Sequence, residues 1–230
     1  MIARQLHDWD LTTREAVHLQ EQLAPLVSAV EAPDNFRLIA GVDVSVQRLR
    51  GEGTAAVVVL DYPGLELHEV KVVHGNVPFP YVPGLLSFRE LPLVLQAFEQ
   101  LTVTPELVLV DGQGLAHPRR FGIAAHLGLL LDVPTIGCAK SRLIGTYEEP
   151  GVEAGSNSDL KDGDEVVGAV VRTRSGTKPV YVSIGHKVSL SQAIRWVLMS
   201  TCGFRIPEPL RLAHRTAGGL LCGQPVVSNA

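Results

Sequence analysis

The sequence predicts an α/β fold in which helices flank a central mixed sheet. Three apolar runs rich in β-branched residues, at residues 36–46, 55–60 and 65–73, are separated by short polar segments and predict a meander of three antiparallel strands. The next apolar run, Leu107–Val110, has no polar interruption, which is typical of a strand buried on both faces. A helical pattern and another short apolar run follow it, so the later part of the sheet should be parallel.

Length and composition indicate one large domain. A chain of 230 residues with 46% hydrophobic and 19% charged content can bury a full core, which excludes disordered and fibrous proteins. No internal repeat or low-complexity linker divides the sequence. We therefore expect a single domain over residues 1–230, with a weakly ordered tail at 218–230.

Charge and cysteine usage narrow the partners and the compartment. The net charge of -4 excludes a globally basic nucleic-acid coat and leaves room for a local basic site. The three cysteines, Cys138, Cys202 and Cys222, are widely spaced and indicate neither a disulfide framework nor a Cys-x-x-Cys metal site, so we expect a reducing cytoplasm. The polar first residues and the lack of an apolar stretch of about 18 residues predict neither secretion nor a membrane partner.

The remaining elements follow from periodicity and capping signals. Thr12 or Thr13 is the expected N-cap of the first helix, and Ser189 that of a later one. The polar, glycine-containing stretch 148–163 has no period and predicts a mobile surface loop. The helices are expected at residues 12–30, 87–100, 118–131, 189–199 and 209–217, and further strands at 134–139, 166–172 and 180–184, the last two as a hairpin.

Two carboxylates lie on predicted core strands. Asp111 follows Leu107–Val110 directly and precedes a glycine, which places it at the carboxyl end of a strand, where ligands bind in open α/β sheets. The alternative is an Asp that starts a turn or caps a helix. Asp43 interrupts an apolar strand, and a buried, unpartnered Asp would cost several kcal/mol, so Asp43 should meet a cation or hydrogen-bond donors. Its alternative is a position at a frayed strand edge.

A stiff, aromatic loop precedes the second helix. Residues 78–84 hold three prolines and two aromatic side chains, so this stretch should be neither helix nor central strand. Tyr81, between prolines, could act as a wedge in a stack of bases, or the aromatics could simply pack against the core. Ser87 and Glu90 that follow have the spacing of a capping box, which gives Glu90 a purely structural explanation.

Basic residues form two clusters on the predicted ligand-binding edge. Arg119 and Arg120 fall in the first turn of the helix expected at 118–131, where cations oppose the helix dipole and are better explained by a bound anion. Lys140 and Arg142 leave the carboxyl end of the strand at 134–139. These four side chains are the candidate phosphate contacts.

Five short motifs resemble the endonuclease V family, nucleases that act on deaminated purines. They are IAGVDVS at 39–45, PYVPGLLSFRE at 80–90, VDGQG at 110–114, HPR at 117–119 and GCAKS at 137–141. The resemblance extends over roughly residues 39 to 215, and the second motif is long enough to be specific by itself. It implies a ribonuclease-H-like fold, with three antiparallel strands followed by parallel ones.

The resemblance also implies a reaction and its residues. The enzyme would be a deoxyribonuclease V that hydrolyses the second phosphodiester 3′ to inosine in DNA, RNA or both, leaving a 3′-hydroxyl and a 5′-phosphate. We expect a monomer that uses Mg²⁺, with Mn²⁺ as a substitute. The implied metal ligands are Asp43, Glu90, Asp111 and His214, and with Lys140 they form the implied catalytic set. The implied nucleic-acid contacts are Pro80, Tyr81, Val82, Pro83, Gly84, Leu86, Gly112, His117, Arg119, Gly122, Ile123 and Ser141.

Three other functions remain open at this point. A structure-selective nuclease of the same fold would leave the loop at 80–84 without a purpose. A non-catalytic nucleic-acid-binding module is disfavoured by the intact Asp43, Glu90 and Asp111. A phosphatase is disfavoured because the sequence has no GxxxxGK-type phosphate loop.

Overall fold

A computed structural model describes residues 1–31, 33–47 and 51–219. In these ranges an eight-stranded mixed sheet is flanked by five α-helices and one short 3-10 helix, Ala24–Leu26. The strands are β1 Leu38–Gln47, β2 Glu52–Asp61, β3 Glu66–Asn76, β4 Leu107–Val110, β5 Thr135–Ala139, β6 Asn157–Asp162, β7 Glu165–Val171 and β8 Val180–His186. The helices are α1 Thr13–Leu23, α2 Leu86–Glu99, α3 Ile123–Leu131, α4 Leu190–Met199 and α5 Glu208–Ala217.

The order of the sheet confirms the expected mixed topology. The strands run β3-β2-β1-β4-β5-β8-β7-β6. The first three form the antiparallel meander, and β4 and β5 then add in parallel to β1. Because Val42 pairs with Val110, the residues that follow them, Asp43 and Asp111, lie side by side at one edge. The amide of Asp111 donates to the carbonyl of Val42 at 3.3 Å, which fixes this register.

The two faces of the sheet carry separate cores. Helices α2 and α3 cover one face, where Val42 and Val110 are buried. Helices α4 and α5 cover the other, where Ile39 and Leu107 pack against Trp196. Side chains alternate along a strand, so Asp43 projects on the same face as Ile39, which is the face that α5 covers.

A glycine lets α5 approach β1 closely. A Cβ on Gly41 would lie 2.2 Å from the carbonyl carbon of Pro209, so no other residue fits there. His214 is five residues beyond Pro209, about 7.5 Å along a helix. Asp43 is two residues beyond Gly41, about 6.6 Å along a strand. The contact at Gly41 therefore brings His214 level with Asp43.

Several predicted boundaries are wrong for local reasons. Thr12 is confirmed as N-cap of α1, with Glu15 completing a capping box, but the helix ends at Leu23 rather than at residue 30, since Pro25 lies in the 3-10 turn that follows. Helix α3 begins at Ile123 instead of 118, because Arg120 has a positive φ of 53° that interrupts a helix. The loop expected at 148–163 contains β6, an edge strand in which only Leu160 is buried. Because β6 has only one buried residue, its sequence contains no apolar run that would predict a strand.

Other expectations are confirmed or untested. The predicted hairpin is present as β7 and β8, and Ser189 caps α4 by accepting from the amide of Gln192. The α5 helix matches its expected range to within one residue. Most of the tail predicted at 218–230 lies outside the described residues.

Candidate metal centre and adjoining cavity

Three side chains from three elements meet at the edge of the sheet. Asp43 projects from β1, Asp111 follows β4, and His214 projects from α5. One ligand atom of each lies within 4.8 Å of the others, and His214 Nδ1 donates to Asp43 Oδ2 at 2.6 Å. Two carboxylates and an imidazole at this spacing are suitable ligands for a divalent cation.

Glu90 is a third carboxylate near this group, although it lies outside the set of Asp43, Asp111 and His214 whose ligand atoms are within 4.8 Å of one another. Burial and the nearby charges of Asp43 and Asp111 raise the pKa of Glu90 to about 8. The same causes, burial first and then the charge of Asp111, raise the pKa of Asp43. A cation would neutralise Asp43 and Glu90, whose ionisation is disfavoured by burial and by neighbouring carboxylates, so this donor set fits a metal.

The capping box predicted for Glu90 is wrong. Helix α2 begins at Leu86 with Leu85 in the N-cap position, and no side chain caps it. Ser87 lies inside the first turn, and its buried hydroxyl has no hydrogen-bond partner among the described residues. Glu90 therefore has no role in capping α2. Its position near Asp43 and Asp111 indicates a role at the metal centre instead.

The carboxylates Asp43, Glu90 and Asp111 are called the acidic group below. Lys140 reaches this group from the end of β5. Its ammonium group forms an ion pair with Asp111 Oδ2. The cation that follows β5 and the carboxylate that follows β4 meet because the two strands are adjacent and parallel. A lysine here can stabilise negative charge that develops next to the acids.

A cavity of about 350 Å³ opens next to Asp111, which forms part of its wall. Of the twelve implied nucleic-acid contacts, ten line it, whereas Pro80 and Arg119 do not. The ten are Tyr81, Val82, Pro83, Gly84, Leu86, Gly112, His117, Gly122, Ile123 and Ser141. The cavity is also lined by residues that the sequence motifs did not point to as contacts, among them Gln20, Ser87, Gln113 and Leu143.

The loop at Gly84 is held by three donors on one carbonyl oxygen. Gln20 Nε2, His117 Nε2 and Arg119 Nη2 each lie 3.0 Å from the oxygen of Gly84. Gly84 has φ +81°, and a Cβ there would come within 2.9 Å of Arg119 Nη2. Burial, followed by the charge of Arg119, lowers the pKa of His117 to about 4, so this ring is neutral and donates through Nε2. Arg119 does not line the cavity itself, but it holds the backbone of Gly84, which does.

The side chain of Arg120 is bound within the protein. Its guanidinium contacts Asp162 at 2.8 Å and Glu165 at 2.7 Å, and the hydrogen bond with Glu165 is the main cause of its raised pKa. The prediction that Arg119 and Arg120 occupy a helix N-terminus and serve an anion there is wrong, since both precede α3. Exposed cations do lie at the cavity, namely Lys140 and Arg142.

The two aromatics of the proline-rich loop behave differently. Phe79 packs into the core and is 8% exposed, whereas Tyr81 is 68% exposed. Tyr81 borders the cavity on one side and, on the other, a groove of about 560 Å³ lined by Val44, Val46, Arg89 and Glu90. Tyr81 thus stands between two spaces, and the alternative that it packs against the core is wrong.

The arrangement defines an α/β protein whose candidate metal centre adjoins a cavity and faces solvent, the class to which metal-dependent nucleases belong. The endonuclease V family profile matches residues 21–215, which is most of the chain. The chain is 53% identical over 218 residues to an endonuclease V of Dehalococcoides mccartyi (strain ATCC BAA-2100 / JCM 16839 / KCTC 5957 / BAV1), covering 95% of this chain and 98% of that protein. This chain therefore belongs to the endonuclease V family.

Solved structures agree with this assignment. Endonuclease V of Streptomyces avermitilis superposes with a TM-score of 0.87 at 44% identity, covering 93% of this chain and 94% of that one. Ciona intestinalis endonuclease V, in complex with a 24mer DNA containing an inosine followed by a ribo-adenosine, superposes with a TM-score of 0.80 at 29% identity, covering 90% and 96%. Among the described helices, none is long and apolar enough to cross a membrane.

Proposed function

We propose that this chain recognises a deaminated purine, above all the hypoxanthine of inosine in DNA, and hydrolyses the second phosphodiester on its 3′ side. The observation that carries the proposal is the double position of Asp111, which belongs to the acidic group and also lines the cavity. A base held in the cavity would place a nearby phosphate at the acids. The Ciona intestinalis relative in complex with inosine-containing DNA supports this choice of ligand.

The acidic group supplies the chemistry. Asp43, Asp111 and His214, with Glu90, would hold Mg²⁺, or Mn²⁺ as a substitute, and the bound ion would polarise the phosphate and lower the pKa of the attacking water. Lys140 would donate to the negative charge that develops on the phosphate. His214 keeps Asp43 oriented through its 2.6 Å hydrogen bond.

The cavity supplies the selectivity. Tight glycine backbones around Gly84, Gly112 and Gly122 bring main-chain groups to the wall, and a Cβ on Gly112 would lie 2.4 Å from the side chain of Ile123. The amides of Gly112 and Gly122 already donate to the carbonyls of Val110 and Gly114, so another backbone N–H of the wall would have to contact the base. Such a donor would suit hypoxanthine, because its O6 is an acceptor where adenine has an amino donor. A close wall would also exclude the N2 amino group of guanine. Lys140 and Arg142 at the mouth would contact the phosphates.

The cut should lie away from the lesion. The residues that enclose the base cannot also enclose its own phosphodiester, so the bond at the acids must be displaced along the strand. Mapping the product of a duplex with one inosine on a sequencing gel should show a nick at the second phosphodiester 3′ to inosine, with a 3′-hydroxyl, a 5′-phosphate and the lesion retained. Free hypoxanthine, a cut at the lesion itself or cleavage in excess EDTA would each reject the proposal.

The same assay separates the remaining alternatives. A structure-selective nuclease would cut flaps or mismatches as well as inosine duplexes, and a non-catalytic module would bind without cutting. Matched oligonucleotides with inosine in DNA or in RNA would show which strand chemistry this chain prefers. We propose that it acts as a monomer, since one chain supplies both the acids and the cavity wall, and that it works in the reducing cytoplasm that its cysteine usage predicts.

Tyr81 should contribute to recognition rather than to chemistry. Replacing Tyr81 with alanine should weaken binding to inosine duplexes by roughly 1–3 kcal/mol, the usual contribution of a base stacked on an aromatic side chain. Tyr81→Phe keeps the ring and should bind like the wild type. Fluorescence anisotropy with inosine and adenine duplexes measures the effect, and an unchanged preference for inosine in Tyr81→Ala would reject this role.

A further inference from the structure

One arginine outside the acidic group holds the backbone of Lys140. Arg205 lies half-buried in the loop between α4 and α5. Its Nε donates to the carbonyl of Lys178, and its Nη2 donates to the carbonyls of Lys140 and Pro179, each at 2.8 Å. A planar guanidinium can satisfy carbonyls from two chain segments at once, which a lysine ammonium does less well.

The pairing of β5 with β8 ends just before the segments that Arg205 joins. In the antiparallel pair of β5 and β8, the last paired residues are Ala139 and Tyr181. Continued pairing would bring Ser141 opposite Pro179, but proline has no N–H to donate. The ladder therefore ends just where Lys140 leaves β5. Beyond this point Arg205, rather than strand pairing, joins the two diverging segments.

The loop that carries Arg205 also leads into α5. The amide of Glu208, the first residue of α5, donates to the carbonyl of Ser200 at 2.7 Å and closes the base of the loop. The hydroxyl of Thr173 donates to the carbonyl of Arg205 itself. Because α5 carries His214, the guanidinium of Arg205 connects the segment that presents His214 to the segment that presents Lys140.

We propose that Arg205 is a positioning residue for the cleavage reaction, which holds Lys140 in register with Asp111 and His214. The inference rests on the proposed function. Arg205 acts through the backbone of Lys140 and not on the substrate, so its loss should slow the chemical step far more than it weakens binding. A misplacement of about 1 Å can cost about 100-fold in rate.

The test compares Arg205→Gln with wild type under single-turnover conditions with Mg²⁺ and an inosine duplex. We expect the cleavage rate of the bound duplex to fall about 10- to 100-fold, while the Kd measured in EDTA changes less than about threefold. Arg205→Lys should recover part of the rate, since it keeps the charge and some donors. Thr173→Val, which frees only the carbonyl of Arg205, should give a smaller loss and serves if Arg205→Gln does not fold.

Arg172 provides a matched control. Its guanidinium also binds backbone carbonyls, those of Gly151 and Pro150 at 2.9 Å each, but it touches none of Lys140, Asp111 or His214. Arg172→Gln should lower the Tm and keep the single-turnover rate at temperatures well below it. An Arg205→Gln rate equal to wild type, or equal losses of rate in both arginine variants, would overturn the inference. Wild-type protein that leaves inosine duplexes uncut would instead refute the proposed function.

Discussion

Replacing Asp111 with asparagine should abolish cleavage of inosine duplexes and leave their binding intact or improved. Asp111 belongs to the acidic group and also lines the cavity. Its negative charge would bind the cation, and its side chain fills part of the cavity wall. Loss of the stabilising charge should slow cleavage on the order of a thousandfold or more. Binding should not suffer, because one fewer carboxylate near the strand reduces repulsion of the phosphates and releases Lys140 from its ion pair.

The measurements are single-turnover cleavage with Mg²⁺ and duplex affinity in EDTA for the same protein preparation. Asp164→Asn makes the same change in the exposed turn between β6 and β7 and should match wild type in both. If Asp111→Asn loses binding and cleavage together and its far-UV spectrum is that of an unfolded chain, then Asp111 is a structural residue and not a metal ligand.

The sequence predicts the part of the site that depends on regular strands. A core strand shows its buried faces as an apolar run, so a carboxylate within or just after the run has a known place. Asp43 and Asp111 were located in this way, and their neighbouring positions follow from parallel pairing of β1 with β4. The Gly41 contact that brings α5 and His214 over β1 could not be anticipated, because it depends on the distance between two distant segments.

Local signals failed where tertiary contacts compete with them. Ser87 and Glu90 have the spacing of a capping box, yet α2 starts one residue before Ser87, so the spacing has no capping function. Arg119 and Arg120 matched a helix N-terminus, but their donors instead satisfy Gly84 and the carboxylates of the β6–β7 hairpin. Gln20 is 1% exposed although it lies on a surface helix, and this polar residue on the buried side of α1 was the available signal for its role at Gly84.

Removal of the Glu90 charge should abolish cleavage and at the same time stabilise the metal-free protein at alkaline pH. Glu90→Gln keeps the shape of the side chain but cannot ionise. In the folded, metal-free protein, burial and the charges of Asp43 and Asp111 raise the pKa of Glu90 from 4.5 to about 8. The folded state therefore keeps a proton that the unfolded state has lost between these two pH values. The contribution of Glu90 to the free energy of unfolding of the wild type is fully present below pH 4.5. It decreases as the pH rises and is lost above pH 8.

The difference in unfolding free energy between Glu90→Gln and wild type should thus grow from pH 5 to pH 8 and then level off, reaching on the order of a few kcal/mol in EDTA. Urea unfolding at several pH values measures it. Glu99→Gln, the same change at an exposed position of α2, should show no such trend. Added Mg²⁺ should stabilise wild type more than Glu90→Gln, because a bound cation favours the ionised carboxylate and must displace its proton. A stability difference that is independent of pH, or an equal gain from Mg²⁺ in both proteins, would show that Glu90 lies outside the metal centre.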